Sequence, residues 1–123
     1  FHIIMLAAPT TPLKRFRRIA SCSRGFIYYV SLTGVTGARR SVSKDLKKKL
    51  ALFKKATNKP ICVGFGVSDP RQAKEISTFA DGVIIGSAIV RIIEKNLGNK
   101  KRMLSEVRHF ARSVAGAVKG AGV

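Results

Sequence analysis

The sequence predicts an α/β fold made of successive parallel βα units, and three observations carry that prediction. Four short apolar runs rich in Ile, Val, Phe and Tyr punctuate the chain, and none alternates cleanly between apolar and polar residues. Continuous apolar strands belong to a sheet covered on both faces, the parallel-sheet situation. The segments between the runs carry apolar residues at helical spacing. Polar and glycine-rich residues cluster just after the runs, at Ser31–Arg40, Gly64–Ser68 and Gly86–Ser87. In a parallel sheet that is the carboxyl-terminal edge, where such folds place their ligands.

Taken in order, the first run is Phe1–Ala8 (FHIIMLAA), which reads as the middle of a buried strand. Leu13, Phe16 and Ala20 follow at i, i+3 and i+7 and predict a helix. The second run, Gly25–Ser31 (GFIYYVS), precedes Leu46, Leu50 and Phe53 at i, i+4 and i+7, with Lys47–Lys49, Lys54 and Lys55 between and beyond them. Ser43 is placed to cap that helix. The third run, Pro60–Gly66 (PICVGFG), leads to Asp69–Pro70, an N-cap followed by proline at the first helical position. Ala73, Ile76 and Ala80 mark the helix behind it. After the fourth run, Gly82–Ser87 (GVIIGS), Ser87 opens a short helical stretch through Lys95. Leu104, Val107, Ala111, Val114 and Val118 then form the longest stripe.

The order β-α-β-α-β-α-β-α implies right-handed parallel βαβ units. A closed (β/α)8 barrel typically takes ~250 residues, whereas this chain has 123. Four units are half of such a barrel, and no linker or low-complexity tract divides residues 1–123 into further domains. The absence of an initiator Met and a start inside a strand suggest a piece of a longer chain. A half-barrel folding alone would expose apolar strand edges and would dimerise or aggregate.

Composition narrows the classes. Lys and Arg number 24 against 6 Asp and Glu, a net charge of +18, with 46% hydrophobic residues. Disorder pairs high charge with low hydrophobicity, so it is excluded. No apolar run approaches the ~20 residues of a membrane helix. Cys22 and Cys62 show no metal-ligand spacing, which points to a reducing, cytoplasmic compartment. The basic residues lie opposite the apolar stripes, without interleaved aromatics, and read as a solvated exterior rather than a dedicated nucleic-acid site. Only non-specific, salt-sensitive binding to polyanions follows from the charge itself.

The chemistry-bearing residues sit at the strand ends. Ser31–Arg39 (SLTGVTGAR) is either a lid or anion cradle or an ordinary connection. Gly64–Phe65–Gly66 and Gly86–Ser87 end adjacent strands. Glycines there let a phosphate approach the backbone, and the helix opening at Ser87 offers free N–H groups and a positive dipole end. The competing reading is that glycine relieves crowding at strand ends. Tyr28 and Tyr29 must point to opposite faces of their strand, one toward a ligand or barrel interior and the other into the helix layer. None of the six acids follows a strand as a buried general base would, and His2 and His109 read as structural. No Ser-His-Asp set, Cys-His pair or metal cluster can be assembled.

APTTP at Ala8–Pro12, GFIYYVSLTGVTGAR at Gly25–Arg39, PICVGFGVSDPRQA at Pro60–Ala73 and DGVIIGSAIVRIIEKN at Asp81–Asn96 resemble, in order, the tryptophan synthase alpha chain. The resemblance implies the C-terminal half of a TIM (β/α)8 barrel, from its fifth strand to its eighth helix. It implies a lyase of tryptophan biosynthesis that cleaves indole-3-glycerol phosphate to indole and glyceraldehyde 3-phosphate. The partner would be the tryptophan synthase beta chain, which carries pyridoxal phosphate, while this chain would bind no cofactor. By position, Gly37, Gly66, Gly86 and Ser87 match the substrate-phosphate site, and Phe65 and Ile84 match the indole pocket. Tyr28 matches the tyrosine beside the scissile substrate, and Thr36 the threonine of the closing loop. The family's acid/base glutamate and aspartate belong to the other half of the barrel. What is present would hold phosphate and part of the indole pocket and be inactive alone. The strongly basic helices are not explained by the resemblance.

Overall fold

The computed structural model describes residues 1–31, 44–64 and 66–119. Within them four strands and five helices follow in the anticipated order, with two helices in succession after the last strand: β1 (Met5–Ala7), α1 (Leu13–Cys22), β2 (Ile27–Val30), α2 (Lys44–Lys54), β3 (Ile61–Gly64), α3 (Pro70–Ser77), β4 (Gly82–Ile84), α4 (Ser87–Lys95) and α5 (Lys100–Lys119). All neighbours in the sheet are parallel, in the order β1-β2-β3-β4. Each strand lies beside its sequence neighbour, the arrangement found in a barrel wall. The strands are shorter than the apolar runs. Phe1 and Ile3 are exposed because no strand pairs with the outer edge of β1 among the described residues.

Register decides which residues share a face. Ala7, Tyr29, Val63 and Val83 align across the sheet, as do Leu6, Tyr28, Cys62 and Gly82 on its other side. The first set faces the helices and forms the core: Ile27, Tyr29, Ile61 and Val63 are fully buried. The second set faces away, and Leu6 keeps 59% of its surface exposed. Among the described residues the sheet is thus covered on one face only, although its strands are as apolar as strands covered on two.

Helical spacing foretold the core well for α1 to α3. Phe16 and Ala20 are buried on α1, Leu46, Leu50 and Phe53 on α2, and Ala73 and Ile76 on α3, with Ala80 just beyond. The Phe16 and Phe53 rings stack 3.8 Å apart at 5°, and Tyr29 meets Phe53 edge-on at 6.0 Å. Asp69 caps α3, its Oδ1 accepting from Arg71 N–H (2.8 Å) and Gln72 N–H (2.9 Å), with Pro70 behind it. Ser43 lies outside the described residues. The stripe on α5 needs correction: no residue of that helix is fully buried, and Leu104 is 53% exposed. The helix rests on α3 and α4, so only one flank of its apolar stripe finds a partner among the described residues.

The amino-terminal edge of the sheet is fastened by polar contacts. Lys59 Nζ donates to the carbonyls of Ala20 (2.5 Å) and Ser23 (2.6 Å), neutralising the negative end of α1. Asp81 accepts from Ile61 N–H (2.9 Å) and Lys54 Nζ (2.8 Å). Burial pushes the Asp81 carboxyl up, but these hydrogen bonds and the Lys54 charge outweigh it and hold the pKa below its ordinary value. Ser23 Oγ accepts from Met5 N–H (3.1 Å) and donates to the Phe26 carbonyl (2.5 Å), tying β1 to the turn before β2.

Candidate functional site at the carboxyl-terminal strand edge

The site is built where β2, β3 and β4 end. Tyr28 projects from the open face of β2, and Tyr29 is buried under the helices, as strand alternation requires. The two tyrosines fare differently. Tyr29 Oη has no hydrogen-bond partner among the described residues, and burial pushes its pKa up to about 12. Tyr28 leans across to β3, where its phenol occupies the space above Gly64. A Cβ added to Gly64 would stand 2.3 Å from Tyr28 Oη, 2.6 Å from Tyr28 Cζ and 3.0 Å from Ile84 Cβ. Gly64 is therefore the gap that brings Tyr28 and Ile84 together on one wall. Sequence reading placed Gly64 among the strand-end glycines, for phosphate or for relief of crowding; at Gly64 the second holds, and the crowding ring is Tyr28.

Above this wall stand the phosphate candidates. Gly66 has φ +80°, a left-handed conformation that side chains rarely adopt, so the turn out of β3 depends on glycine. Gly86 is the N-cap of α4, and Ser87 is its first residue; both are exposed. No side chain caps this helix, which leaves the first amides and the positive dipole end open toward the strand edge. A Cβ on Gly86 would meet nothing within 4 Å, so the approach to those amides is unobstructed. Thr36, Gly37 and Phe65 lie outside the described residues.

Among the described residues no carboxylate stands on this wall. All six acids fall among the described residues. Asp69 follows β3 but serves as the anticipated cap, its Oδ1 taken up by the first amides of α3. Glu75 pairs with Lys47 and Asp81 with Lys54, and Glu106 pairs with Arg102 while accepting from Asn96. Asp45 and Glu94 are exposed on the helix layer. Among the described residues no three His, Cys, Asp or Glu side chains gather to hold a metal, and no helix is long and apolar enough to cross a membrane.

Two grooves flank the sheet. One lies along β1 and α1, lined by Met5, Arg15, Arg18, Ile19 and Cys22. The other, about 400 Å³, runs along β4, α4 and α5, lined by Val83, Ile85, Ile89, Phe110 and Val114. They sit at the two edge strands, where the next βα units of a closed barrel would pack.

Comparison with known proteins agrees with this geometry. The family model of the tryptophan synthase alpha chain matches residues 1–119. The tryptophan synthase alpha chain of Picosynechococcus is 47% identical over 117 residues, covering 94% of this chain and 44% of the relative. That of Arabidopsis thaliana is 42% identical, covering 95% of this chain and 42% of its own length. The crystal structure of the Legionella pneumophila alpha chain superposes with a TM-score of 0.81 at 31% identity, over 98% of this chain and 44% of that one. The Pyrococcus furiosus subunit superposes with a TM-score of 0.76 at 30% identity. The chain thus spans somewhat under half the length of these relatives, corresponding to their C-terminal halves. Four parallel strands in sequential order, an uncapped helix end at the site and a match over nearly every residue lead to one conclusion: this chain belongs to the tryptophan synthase alpha chain family of tryptophan biosynthesis.

Proposed function

We propose that the chain supplies the phosphate-holding half of a lyase barrel that cleaves indole-3-glycerol phosphate to indole and glyceraldehyde 3-phosphate. The observation that carries this reading is the uncapped start of α4 at Gly86–Ser87, on the same edge as the glycine-dependent turn at Gly66. In this reading Gly66, Gly86 and Ser87, with Gly37, hold the substrate phosphate through backbone N–H groups. Tyr28 and Ile84, with Phe65, line the indole pocket, and Thr36 closes over the substrate. The amides need no proton transfer to hold a phosphate dianion, so this half of the task is independent of acid/base carboxylates.

Cleavage also requires a general acid and base, and each carboxylate of this chain is either paired, spent as a cap or exposed on the helix layer. The proton-moving groups then belong to the complementary four βα units. In the cell the completed barrel works with a beta chain that carries pyridoxal phosphate, while this chain needs no cofactor. The two free thiols, Cys22 and Cys62, suit the reducing cytoplasm.

The test is indole release from indole-3-glycerol phosphate. The chain alone is expected to match buffer, and mixing it with the first four βα units of a relative should restore turnover. Turnover by the chain alone overturns the assignment of the proton-moving groups. A second reading, an inactive phosphate-binding or partner-docking remnant, draws on the uncovered sheet face. It prevails if glycerol phosphate perturbs the Gly66, Gly86 and Ser87 amides while no complementary half restores turnover.

A further inference from the structure

Neither β1 nor β4 has a hydrogen-bonded neighbour on its outer side among the described residues. Every pairing between them is parallel and in sequence order, so the two strands offer the complementary rims of one parallel ladder. Apolar surface is left open at both rims. On the β1 side Phe1, Ile3 and Leu6 are exposed, and the groove beside them is lined by Met5, Ile19 and Cys22. On the β4 side Leu104, Ala111, Ala115 and Val118 recur at i, i+7, i+11 and i+14 and form one flank of α5. The last three line the groove there together with Val83 and Ile89. This is the flank of the α5 stripe that α3 and α4 leave uncovered.

Curvature decides what can meet these rims. The wall superposes on that of the family's barrels over nearly its whole length, and such barrels close a full circle with eight strands. Four strands therefore span half a turn. A copy rotated by about 180° around the barrel axis sets its β4 beside β1 and its β1 beside β4, all parallel. Both rims are then used, no edge strand remains, and assembly stops at two. The face bearing Leu6, Tyr28 and Cys62, open in one copy, is enclosed by the same face of the other. Lys14, Arg15 and Arg18 also line the β1 groove, but their stems supply apolar surface while their charges stay in water. Lys119 rims the other groove, so like charges meet across each seam and oppose the contact most at low salt.

We propose that two copies of this chain close into one eight-stranded barrel, β1 of each pairing with β4 of the other about a two-fold axis. The second copy completes the wall around the strand-edge site but brings no carboxylate to it. The dimer and the phosphate reading therefore stand or fall separately.

Sedimentation velocity of the 123-residue chain, from about 1 to 100 μM in about 50 and 500 mM salt, tests this. One limiting species at twice the 13.4 kDa of the chain is expected, populated at lower concentration in the higher salt. A monomer throughout, or a growing series with no limiting mass, would overturn the closed dimer. Ala115→Arg on α5 and Cys22→Arg on α1 add a charge on opposite sides of the same seam. Both residues are exposed, so the variants should keep their helices, checked by circular dichroism. Each substitution enters the dimer twice and should raise the dissociation constant by about tenfold or more. Ala51→Arg, which adds the same charge at an exposed position of α2, should change it by less than about threefold. Weakening by only one seam variant would mean that like edges meet and would overturn the pairing of β1 with β4. Equal weakening by all three would reduce the effect to overall repulsion and overturn the seam.

Discussion

Replacing Gly64 by alanine tests how the candidate site is assembled. The backbone there does not require glycine, since Gly64 has no positive φ, so the effect is steric. The new Cβ would stand 2.3 Å from Tyr28 Oη and 2.6 Å from Cζ, and ordinary contact begins near 3.4 Å. The phenol must therefore retreat by about 1.1 Å at its tip, pivoting away from Ile84. Crowding of this kind costs about 1–3 kcal/mol. The experiment is a double-mutant cycle with Tyr28→Ala, read by urea unfolding. Without the phenol, Gly64→Ala loses its clash and gains the roughly 0.5–1 kcal/mol advantage of alanine over glycine in a strand, partly offset by the 3.0 Å approach to Ile84 Cβ. The coupling energy between the two positions should be about 1–3 kcal/mol. Equal destabilisation by Gly64→Ala with and without Tyr28 would refute the reasoning.

Tyr29→Phe removes a buried hydroxyl that lacks a partner among the described residues; it should leave stability unchanged or raise it by up to about 1 kcal/mol, and a clear loss in urea midpoint would contradict this. Asp81 has a depressed folded-state pKa, so the unfolded chain binds its proton first. Its contribution is complete above the unfolded value of about 3.9 and is lost as pH falls through the folded pKa. With the Asp81 side chain 40% exposed, screening keeps that contribution below about 1 kcal/mol, and Asp81→Asn should flatten the acid limb of stability against pH; parallel profiles would count against it. Cys22 is exposed, whereas burial first and the Asp81 charge second push the Cys62 thiol up. An aromatic disulfide reagent at neutral pH should therefore label Cys22 well before Cys62, and simultaneous labelling would be inconsistent with the fold. The uncovered sheet face, with Leu6 59% exposed, should make the chain self-associate at micromolar concentration; a concentration-independent monomer in sedimentation velocity would contradict that.

Local pattern carried much of the fold. Leu46, Leu50 and Phe53 were placed in the core by spacing alone, and all three are buried, because a helix presents the same face every three to four residues whatever it packs against. Asp69–Pro70 marked a helix start that its hydrogen bonds to Arg71 and Gln72 confirm. The same logic failed for Leu104, since a stripe tells which face is apolar but not whether a neighbour covers it. At the site, Gly66, Gly86 and Ser87 were legible as glycine and helix-start signals at strand ends. Gly64 was legible as a strand-end glycine but its partner was not, because the ring it accommodates belongs to a residue 36 positions earlier, brought close only by the pairing of Val30 with Gly64. Lys59 gave no local sign of capping α1, whose carbonyls at Ala20 and Ser23 it reaches across 39 and 36 residues.

By itself the sequence determined the order and number of βα units, the inward faces of α1 to α3, the cap at Asp69 and the family. All of these are written in periods and motifs a few residues long. The tertiary structure alone decided that Gly64 makes room for Tyr28 and that, among the described residues, one face of the sheet stands open. Each of these depends on register and packing between distant segments, which the burial of Ile27, Tyr29, Ile61 and Val63 under the helices sets. A one-residue slip in that register would turn every side chain of the strand to the opposite face.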